Sequence, residues 1–216
     1  MTGEGTEERV GSALRKAGYG ALAPGAREKL ESYIGEVGAW SERIHLVGRS
    51  RLGGNLGLLV LDSLLLLRTA EESALPLHRV ADIGSGAGFP GVVWKILRPD
   101  LEMTLFERRL KPALFLERIV TLVGLEGARV VGGDASNCRE AGSFDLVVSK
   151  AAGRLEAILP LAELLLRTDG AYITIKGRSW ESEIPEPPQG AMRFEAAANL
   201  PEKRGTAILF RKKPSA

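Results

Sequence analysis

One stretch decides the fold of this chain: Val80-Ala81-Asp82-Ile83-Gly84-Ser85-Gly86-Ala87-Gly88-Phe89-Pro90-Gly91. A short, mostly apolar run containing an acid is followed by four glycines in eight residues. This pattern predicts a strand, a tight turn and the start of a helix, because glycine accepts positive φ and lets a ligand approach bare backbone. The free N–H groups at the start of the helix would face that ligand, so a nucleotide-like molecule is predicted at the turn.

Two kinds of nucleotide-like ligand are compatible with this turn. Residues 86–91 satisfy the dinucleotide fingerprint G-x-G-x-x-G, but that interpretation leaves Asp82 and Gly84 unexplained, and a nearby carboxylate repels a pyrophosphate unless it points away. S-adenosylmethionine instead carries an ammonium and a sulfonium, which a carboxylate attracts. We therefore favour this methyl donor, with a dinucleotide and a glycine turn without a ligand as alternatives. The predicted contacts in the stretch are Asp82, Gly84, Ser85, Gly86, Gly88 and Phe89.

A second acid supports a nucleoside at this place. Glu107 follows the apolar run at residues 103–106 and lies 23 positions after Gly84. An acid at the end of a second strand can accept hydrogen bonds from both hydroxyls of a ribose. Glu107 and the adjacent Arg108 are therefore predicted to border the ligand, whichever of the two it is.

The composition limits the class of protein. The 216 residues suffice for one domain with a modest extension, and 44% hydrophobic with 26% charged residues is typical of a globular protein. The net charge is only +2, so an RNA-binding surface would have to be a local patch. The single Cys138 excludes an internal disulfide, and with two widely separated histidines no metal site built from protein ligands is expected.

Two segments bear on location. The first eight residues are acidic and lack the apolar core of a signal peptide. The most apolar segment, residues 56–67, is too short to span a membrane and contains Asp62, so it is predicted to be a core helix. We expect a cytoplasmic protein without membrane contact.

The first third of the chain has a helical pattern. Apolar residues at helical spacing predict helices at 6–17, 24–40 and 56–67, with a break at residues 51–54. No strand is predicted before residue 79. Residues 1–78 are therefore predicted to form an N-terminal helical cap on a main domain at residues 79–216.

The pattern changes after residue 79, where short β-branched or aliphatic runs alternate with helical stretches as in βαβ units. After a proline-rich loop at 185–188, the last two strands would form a hairpin. We predict an α/β, Rossmann-like fold of the class I methyltransferase type, with a mostly parallel seven-stranded sheet and an antiparallel edge strand. The predicted strands are 80–83, 103–106, 128–131, 144–149, 171–176, 192–197 and 206–211, and the predicted helices are 92–97, 112–123 and 155–166, the last with Pro160 in its interior.

In open parallel sheets the ligand lies beyond the C-terminal ends of the strands. After the third strand, Asp134 is suited to the adenine amino group and the N–H of Ala135 to a ring nitrogen, while the alternative for Asp134 is to stabilise its own turn. Lys150 and Lys176 each follow a strand that is predicted to be buried. They are predicted to form a basic rim for phosphates with Arg108, Arg109, Arg154 and Arg178.

Several motifs together resemble one family. They are Trp40-Ser41-Glu42-Arg43-Ile44-His45-Leu46, Leu61-Asp62-Ser63, the glycine stretch at 82–91, Arg98-Pro99, Lys111 with Phe115-Leu116, Phe144-Asp145, Ser149-Lys150-Ala151 and Lys176-Gly177. From about residue 30 to residue 178 the chain resembles the GidB/RsmG family of bacterial 16S rRNA methyltransferases, which modify guanine at N7. The resemblance implies S-adenosylmethionine as the donor and 16S rRNA or the small ribosomal subunit as the partner. Separately, we expect a monomer. Family donor contacts fall on Gly84, Phe89, Ala135, Ser136 and Lys150.

The sequence departs from the family pattern at some of these places. Leu59 stands where the family usually has His, Ser136 lacks a carboxylate, and Lys150 replaces an Arg. Two further interpretations therefore stay open: methylation of another substrate, and a donor-binding, RNA-interacting protein without turnover. A nicotinamide-dependent oxidoreductase is disfavoured, because too few residues follow residue 178 for a substrate domain.

No general base is predicted. N7 of guanine has a free lone pair and loses no proton, which agrees with a chain that offers no convincing His or Glu base. Lys150 and Lys176 are predicted to be positioning residues that hold the donor carboxylate or RNA phosphates. They are not expected at the reacting ring, because the purine gains positive charge as the methyl arrives.

Overall fold

The computed structural model describes residues 3–44, 46–47, 56–185 and 190–214. His45, the predicted break at 51–54 and most of the proline-rich loop lie outside the described residues. The helices are α1 Gly3–Ala17, α2 Ala26–Ile44, α3 Leu56–Glu72, α4 Gly91–Leu97, α5 Leu110–Leu122 and α6 Leu155–Leu165. The strands are β1 Arg79–Ile83, β2 Glu102–Glu107, β3 Ala128–Gly132, β4 Phe144–Lys150, β5 Leu166–Lys176, β6 Met192–Asn199 and β7 Thr206–Lys212.

The seven strands form one sheet in the order β3-β2-β1-β4-β5-β7-β6. The first five are parallel to one another, and β7 lies antiparallel between β5 and β6. The predicted mostly parallel sheet with an antiparallel edge is therefore confirmed. Strand order reverses between β1 and β4, and it is beside this point that a ligand is expected in such sheets.

Several elements differ from the predicted bounds, and three of these differences have a physical reason or bear on proline. Strand β5 begins at Leu166, five residues early, because Leu166 pairs with Phe144 across an irregularity in the register. Helix α2 begins at Ala26, two residues after the predicted proline start. Helix α6 continues through Pro160, which is exposed, so the carbonyl that loses its N–H partner can be hydrated.

The N-terminal helices share their core with one face of the sheet. The buried side chains of α1, α2 and α3 belong to the same apolar cluster as Trp94 of α4 and Leu105 of β2. Two buried hydrogen bonds link the layers: the Trp94 Nε1–H donates to the Ser63 carbonyl at 2.8 Å, and the Tyr33 hydroxyl donates to the Ala87 carbonyl at 2.7 Å. The glycine stretch is thus held from the side of the helices.

A second apolar cluster lies on the opposite face of the sheet, where α6 packs on β4, β5 and β7.

In the part of the chain that the structure describes, no helix is both long enough and apolar enough to cross a membrane. The division into a cap at residues 1–78 and a main domain at residues 79–216 stays a prediction.

Candidate functional site

The glycine stretch forms a turn directly after β1. Gly84, Gly86 and Gly88 all have positive φ, at 70°, 57° and 100°. The amides of Gly84 and Ser85 donate to the Phe106 carbonyl at 2.9 and 3.0 Å. These bonds fasten the turn to the end of the neighbouring strand β2, so that bare backbone faces the cleft beyond the strand ends.

Two cavities adjoin this turn. The larger has a volume of about 590 Å³ and the smaller about 230 Å³. Both are lined by Gly84, Arg109 and Ala151, so these three residues separate two parts of one cleft. Ala151 also has a positive φ of 56°, which places a non-glycine residue in a left-handed conformation beside the cleft.

The larger cavity combines polar strand ends with an apolar wall. Glu107, Arg108 and Arg109 follow β2, and Gly133, Asp134 and Ala135 follow β3. The remaining lining residues are Ile83, Phe106, Ala152, Ala157, Ile158 and Leu161, besides the shared Gly84 and Ala151. An apolar slot with an acid at one strand end suits a nucleoside, because the ring packs on the slot and the ribose hydroxyls donate to the acid.

Glu107 is nearly buried and already hydrogen-bonded. Its Oε2 accepts from the amide of Gly86 at 2.9 Å, and its Oε1 accepts from the amide and Nε of Arg109 at 2.9 and 3.1 Å. The Arg109 side chain is about half exposed. Each carboxylate oxygen can accept two bonds, so Oε2 keeps one acceptor position for a donor from a ligand.

Asp134 stabilises its own turn, which was the alternative to a contact with the adenine. Its side chain accepts from the amide of Ser136 at 2.9 Å and caps the short 3₁₀ helix Ala135–Asn137. This bond from the backbone lowers the pKa of the Asp134 carboxyl. Asp134 and Ala135 line the larger cavity, whereas Ser136 is exposed and is not among its lining residues.

The smaller cavity lies on the side of the N-terminal helices. Ser85, Gly86, Ala87 and Phe89 of the turn line it together with Lys150, Leu46, Val47 and Leu59. The Lys150 ammonium lies 5.0 Å from the centroid of the Phe89 ring, a cation–π distance. It also lies 3.9 Å from Oδ2 of Asp62 in α3.

Asp82 and Gly88 line neither cavity, although both were predicted to contact the donor. Asp82 is fully buried beneath the turn, where its Oδ2 accepts from the amide of Gly91 at the start of α4. Burial raises the pKa of Asp82 to about 7. A side chain on Gly88 would meet Val92 at 2.6 Å and the Tyr33 hydroxyl at 2.9 Å, so this glycine serves packing against α2 and α4.

The basic rim is only partly assembled in the cleft. Arg108 and Arg109 line the larger cavity and Lys150 the smaller one. The Lys176 ammonium instead donates to the Gly153 carbonyl at 2.6 Å and to Glu183 at 2.7 Å, and this bond lowers the pKa of Glu183. Arg154 and Arg178 are exposed and line neither cavity.

Comparison with known proteins decides the family. The family model described as GidB, rRNA small subunit methyltransferase G, matches residues 26–203. This chain belongs to the GidB family. Among its relatives named ribosomal RNA small subunit methyltransferase G, that of Moorella thermoacetica is 34% identical over 82% of this chain and 75% of the relative, and that of Sorangium cellulosum is 33% identical over 94% and 87%.

Solved structures of lower identity share the fold. A mutant of MtNAS in complex with S-adenosylmethionine is 14% identical and covers 99% of this chain and 93% of that chain, with a TM-score of 0.62. A candidate S-adenosylmethionine-dependent methyltransferase of Methanococcus maripaludis is 13% identical and covers 85% and 93%, with a TM-score of 0.56. The predicted class I fold is confirmed, and membership of the GidB family confirms the predicted methyltransferase class and its methyl donor.

Some residues of the GidB cleft were not predicted as site residues. Ala151 and the α6 residues Ile158 and Leu161 line the larger cavity, but small and aliphatic residues in a helix give no distinctive signal. Asp62 was noted as an acid inside an apolar helix and as part of the Leu61-Asp62-Ser63 motif, but it was not predicted as a site residue. That isolated acid was a usable signal, because a buried carboxylate requires a charged or hydrogen-bonding partner.

Proposed function

We propose that this GidB protein transfers the methyl group of S-adenosylmethionine to N7 of a guanine in 16S rRNA. The observation that carries the proposal is the glycine turn with one cavity on each side and with Gly84, Arg109 and Ala151 between them. Such a division gives the adenosine of the donor one compartment and the transferred methyl group, with its acceptor, the other.

The larger cavity fits the adenosine half of the donor. Glu107 is oriented for the ribose, and Ile158 and Leu161 supply an apolar surface for the adenine. Backbone is required at the turn, because a Cβ on Gly84 would lie 3.0 Å from Cβ of Ala152 on the facing wall. These features support Gly84, Glu107, Arg108, Asp134 and Ala135 as donor contacts.

The smaller cavity fits the reaction at N7. None of its described lining residues is an Asp, a Glu or a His, so no general base faces it from the described part of the chain. None is needed, because the N7 lone pair attacks the methyl carbon as the carbon–sulfur bond breaks and its electron pair stays on sulfur. S-adenosylmethionine supplies an electrophilic methyl group when bound, and the chain supplies alignment, which is worth roughly 7–11 kcal/mol in favourable cases.

The cations beside the smaller cavity are assigned to anionic groups. Lys150 and Arg109 both line it, and a cation in contact with the purine would oppose the positive charge that the ring acquires. We assign Lys150 to the donor carboxylate, and Arg109, Arg154 and Arg178 to RNA phosphates. Lys176 remains a candidate for the same role only if its bond to Glu183 opens.

The N-terminal part supplies one wall of the acceptor side. Leu46, Val47 and Leu59 line the smaller cavity, which supports the prediction that residues 1–78 form a cap beside the site. With a net charge of only +2, recognition of RNA depends on shape as well as on charge. We expect a cytoplasmic monomer that acts on the small ribosomal subunit or on its 16S rRNA.

The test is methyl incorporation from labelled S-adenosylmethionine into small ribosomal subunits that lack the family modification. Naked rRNA and bulk protein serve as parallel acceptors, and the Gly86→Val variant is the control for the donor site. Label in 16S rRNA, found at N7 of a guanine after nucleoside analysis, would support the proposal. Label in protein alone would favour another substrate, and intact donor binding with no labelled acceptor would favour a protein without turnover.

A further inference from the structure

Three charged side chains from distant parts of the chain meet behind the smaller cavity. Asp62 lies in α3, Lys150 ends β4, and Arg204 lies in the connection between β6 and β7. Nε of Arg204 donates to Oδ1 of Asp62 at 2.7 Å, and the Lys150 ammonium lies 3.9 Å from Oδ2. All three side chains are largely shielded from water, with exposures of 11% for Asp62, 9% for Lys150 and 23% for Arg204.

Each contact in this cluster has a distinct effect. The short bond from Arg204 fixes the Asp62 carboxylate and leaves Oδ2 towards Lys150. A separation of 3.9 Å is longer than a hydrogen bond, so Asp62 attracts the ammonium as an ion pair. The ammonium also lies over the Phe89 ring. A lysine side chain is flexible, and these contacts restrict where its charge can be.

The position of the ammonium suggests what it binds. Lys150 lines the smaller cavity together with Ser85, Gly86 and Ala87, and its ammonium is buried beside that space. If the adenosine occupies the larger cavity, the amino-acid end of the donor extends past the turn into this space. The carboxylate is the one anionic group of that donor, and the oriented ammonium is suited to bind it.

We propose that Asp62 and Arg204 are positioning residues that direct Lys150 towards the carboxylate of the methyl donor. The inference rests on the proposed function for donor binding, but not for the RNA target. The connection between β6 and β7 lies outside the glycine stretch and borders neither cavity. According to this proposal, it nevertheless contributes to the affinity for the donor through Arg204.

Calorimetry with two ligands tests the assignment. S-adenosylmethionine carries the carboxylate, whereas 5′-methylthioadenosine lacks the whole amino-acid end. We expect Asp62→Asn and Arg204→Gln to weaken the binding of S-adenosylmethionine about tenfold, which corresponds to one lost hydrogen bond to a charged group. The affinity for 5′-methylthioadenosine should stay unchanged. Arg204 is the more exposed of the two, so its variant serves if Asp62→Asn folds poorly.

Glu71→Gln is the matched control. Glu71 lies in the same helix as Asp62 and accepts from an arginine of another segment, Arg98, at 3.0 Å, but it borders neither cavity. This variant should leave the affinities for both ligands unchanged. An equal weakening of both ligands by the Asp62 and Arg204 variants would overturn the proposal, because it would indicate a general disturbance of the site.

A double-mutant cycle tests whether Asp62 acts through Lys150. The double variant Asp62→Asn with Lys150→Met should bind S-adenosylmethionine no more weakly than Lys150→Met alone. Additive losses would overturn the proposal. Since these measurements contain no RNA, failure of the proposed rRNA methylation would appear separately, as normal donor binding without labelled rRNA.

Discussion

The amide of Gly86 donates a 2.9 Å hydrogen bond to Oε2 of Glu107. The acid at the end of β2 therefore fixes the glycine turn that follows β1, although 21 positions separate the two residues. The same carboxylate is placed to accept from a ribose, so the shape of the turn and the affinity for the donor depend on one side chain.

Replacing Glu107 by Ala should weaken the binding of S-adenosylmethionine at least tenfold, because the Gly86 amide loses its hydrogen-bond acceptor and so does the ribose. Calorimetric titration with the donor measures this. Glu117→Ala, at an exposed position on α5, is the matched control and should bind normally. An unchanged affinity in Glu107→Ala would remove Glu107 from the donor site.

Gly86→Val should abolish donor binding while the protein stays folded. The nearest atoms to an added Cβ are 3.8 Å away, so the backbone is not blocked, but a valine at φ 57° is strained and its methyl groups would occupy the smaller cavity. Circular dichroism and calorimetry together would show this. A variant that folds and still binds the donor would contradict the site.

Gly91→Ala should affect stability instead. An added Cβ would lie 2.5 Å from Leu105 and 2.7 Å from Oδ2 of Asp82, inside the packed layer below the turn. Overpacking of this kind costs about 1–3 kcal/mol in the free energy of unfolding. Denaturant titration measures the loss, and a variant as stable as the parent would show that this layer has free space.

Asp82 should make stability decrease as pH rises. Its pKa in the folded protein is about 7, above the usual 3.8, so the folded state holds the proton more tightly than the unfolded chain. Its contribution is therefore most favourable below the unfolded pKa, declines as pH rises towards 7 and is constant above that. Asp82→Asn keeps an acceptor oxygen for Gly91 and removes the ionisation.

The measurement is denaturant unfolding of both proteins near pH 5 and near pH 8. From pH 5 to pH 8, the free energy of unfolding of the parent should fall by about 2–3 kcal/mol relative to that of Asp82→Asn. If the difference between the two proteins is the same at both pH values, the Asp82 carboxyl does not titrate in this range.

Lys176 and Arg178 should respond differently to removal of their charge. Lys176→Met should lower the melting temperature, because Glu183 and the Gly153 carbonyl lose their donor. Arg178→Gln should leave the melting temperature unchanged and weaken binding to small ribosomal subunits. For this variant, the slope of log affinity against log salt concentration should be shallower by roughly one unit or less for the phosphate contact that is lost. A reduced slope in Lys176→Met with unchanged stability would restore Lys176 to the RNA-binding rim.

The sequence was sufficient for the elements of the fold and for the kind of ligand. Strands such as β1 and β2 are short apolar runs bounded by turn residues, and the positive φ values at Gly84 and Gly86 are a local property of a strand-to-helix turn. These features depend on neighbours in the chain. The bounds were less predictable: β5 starts at Leu166 because of its partner Phe144 in another strand.

Tertiary structure decided which residues of the motifs face the cleft. Asp82 and Gly88 belong to the same stretch as Gly84, but they face the packed layer formed with α2 and α4. The sequence of the stretch does not say on which side of it those helices pack. Asp62 and Arg204 are 142 positions apart and meet only because α3 and the β6–β7 connection pack against each other in the fold. Backbone conformation follows from local sterics, whereas the direction and partner of a charged side chain depend on burial and on charges brought in from distant segments.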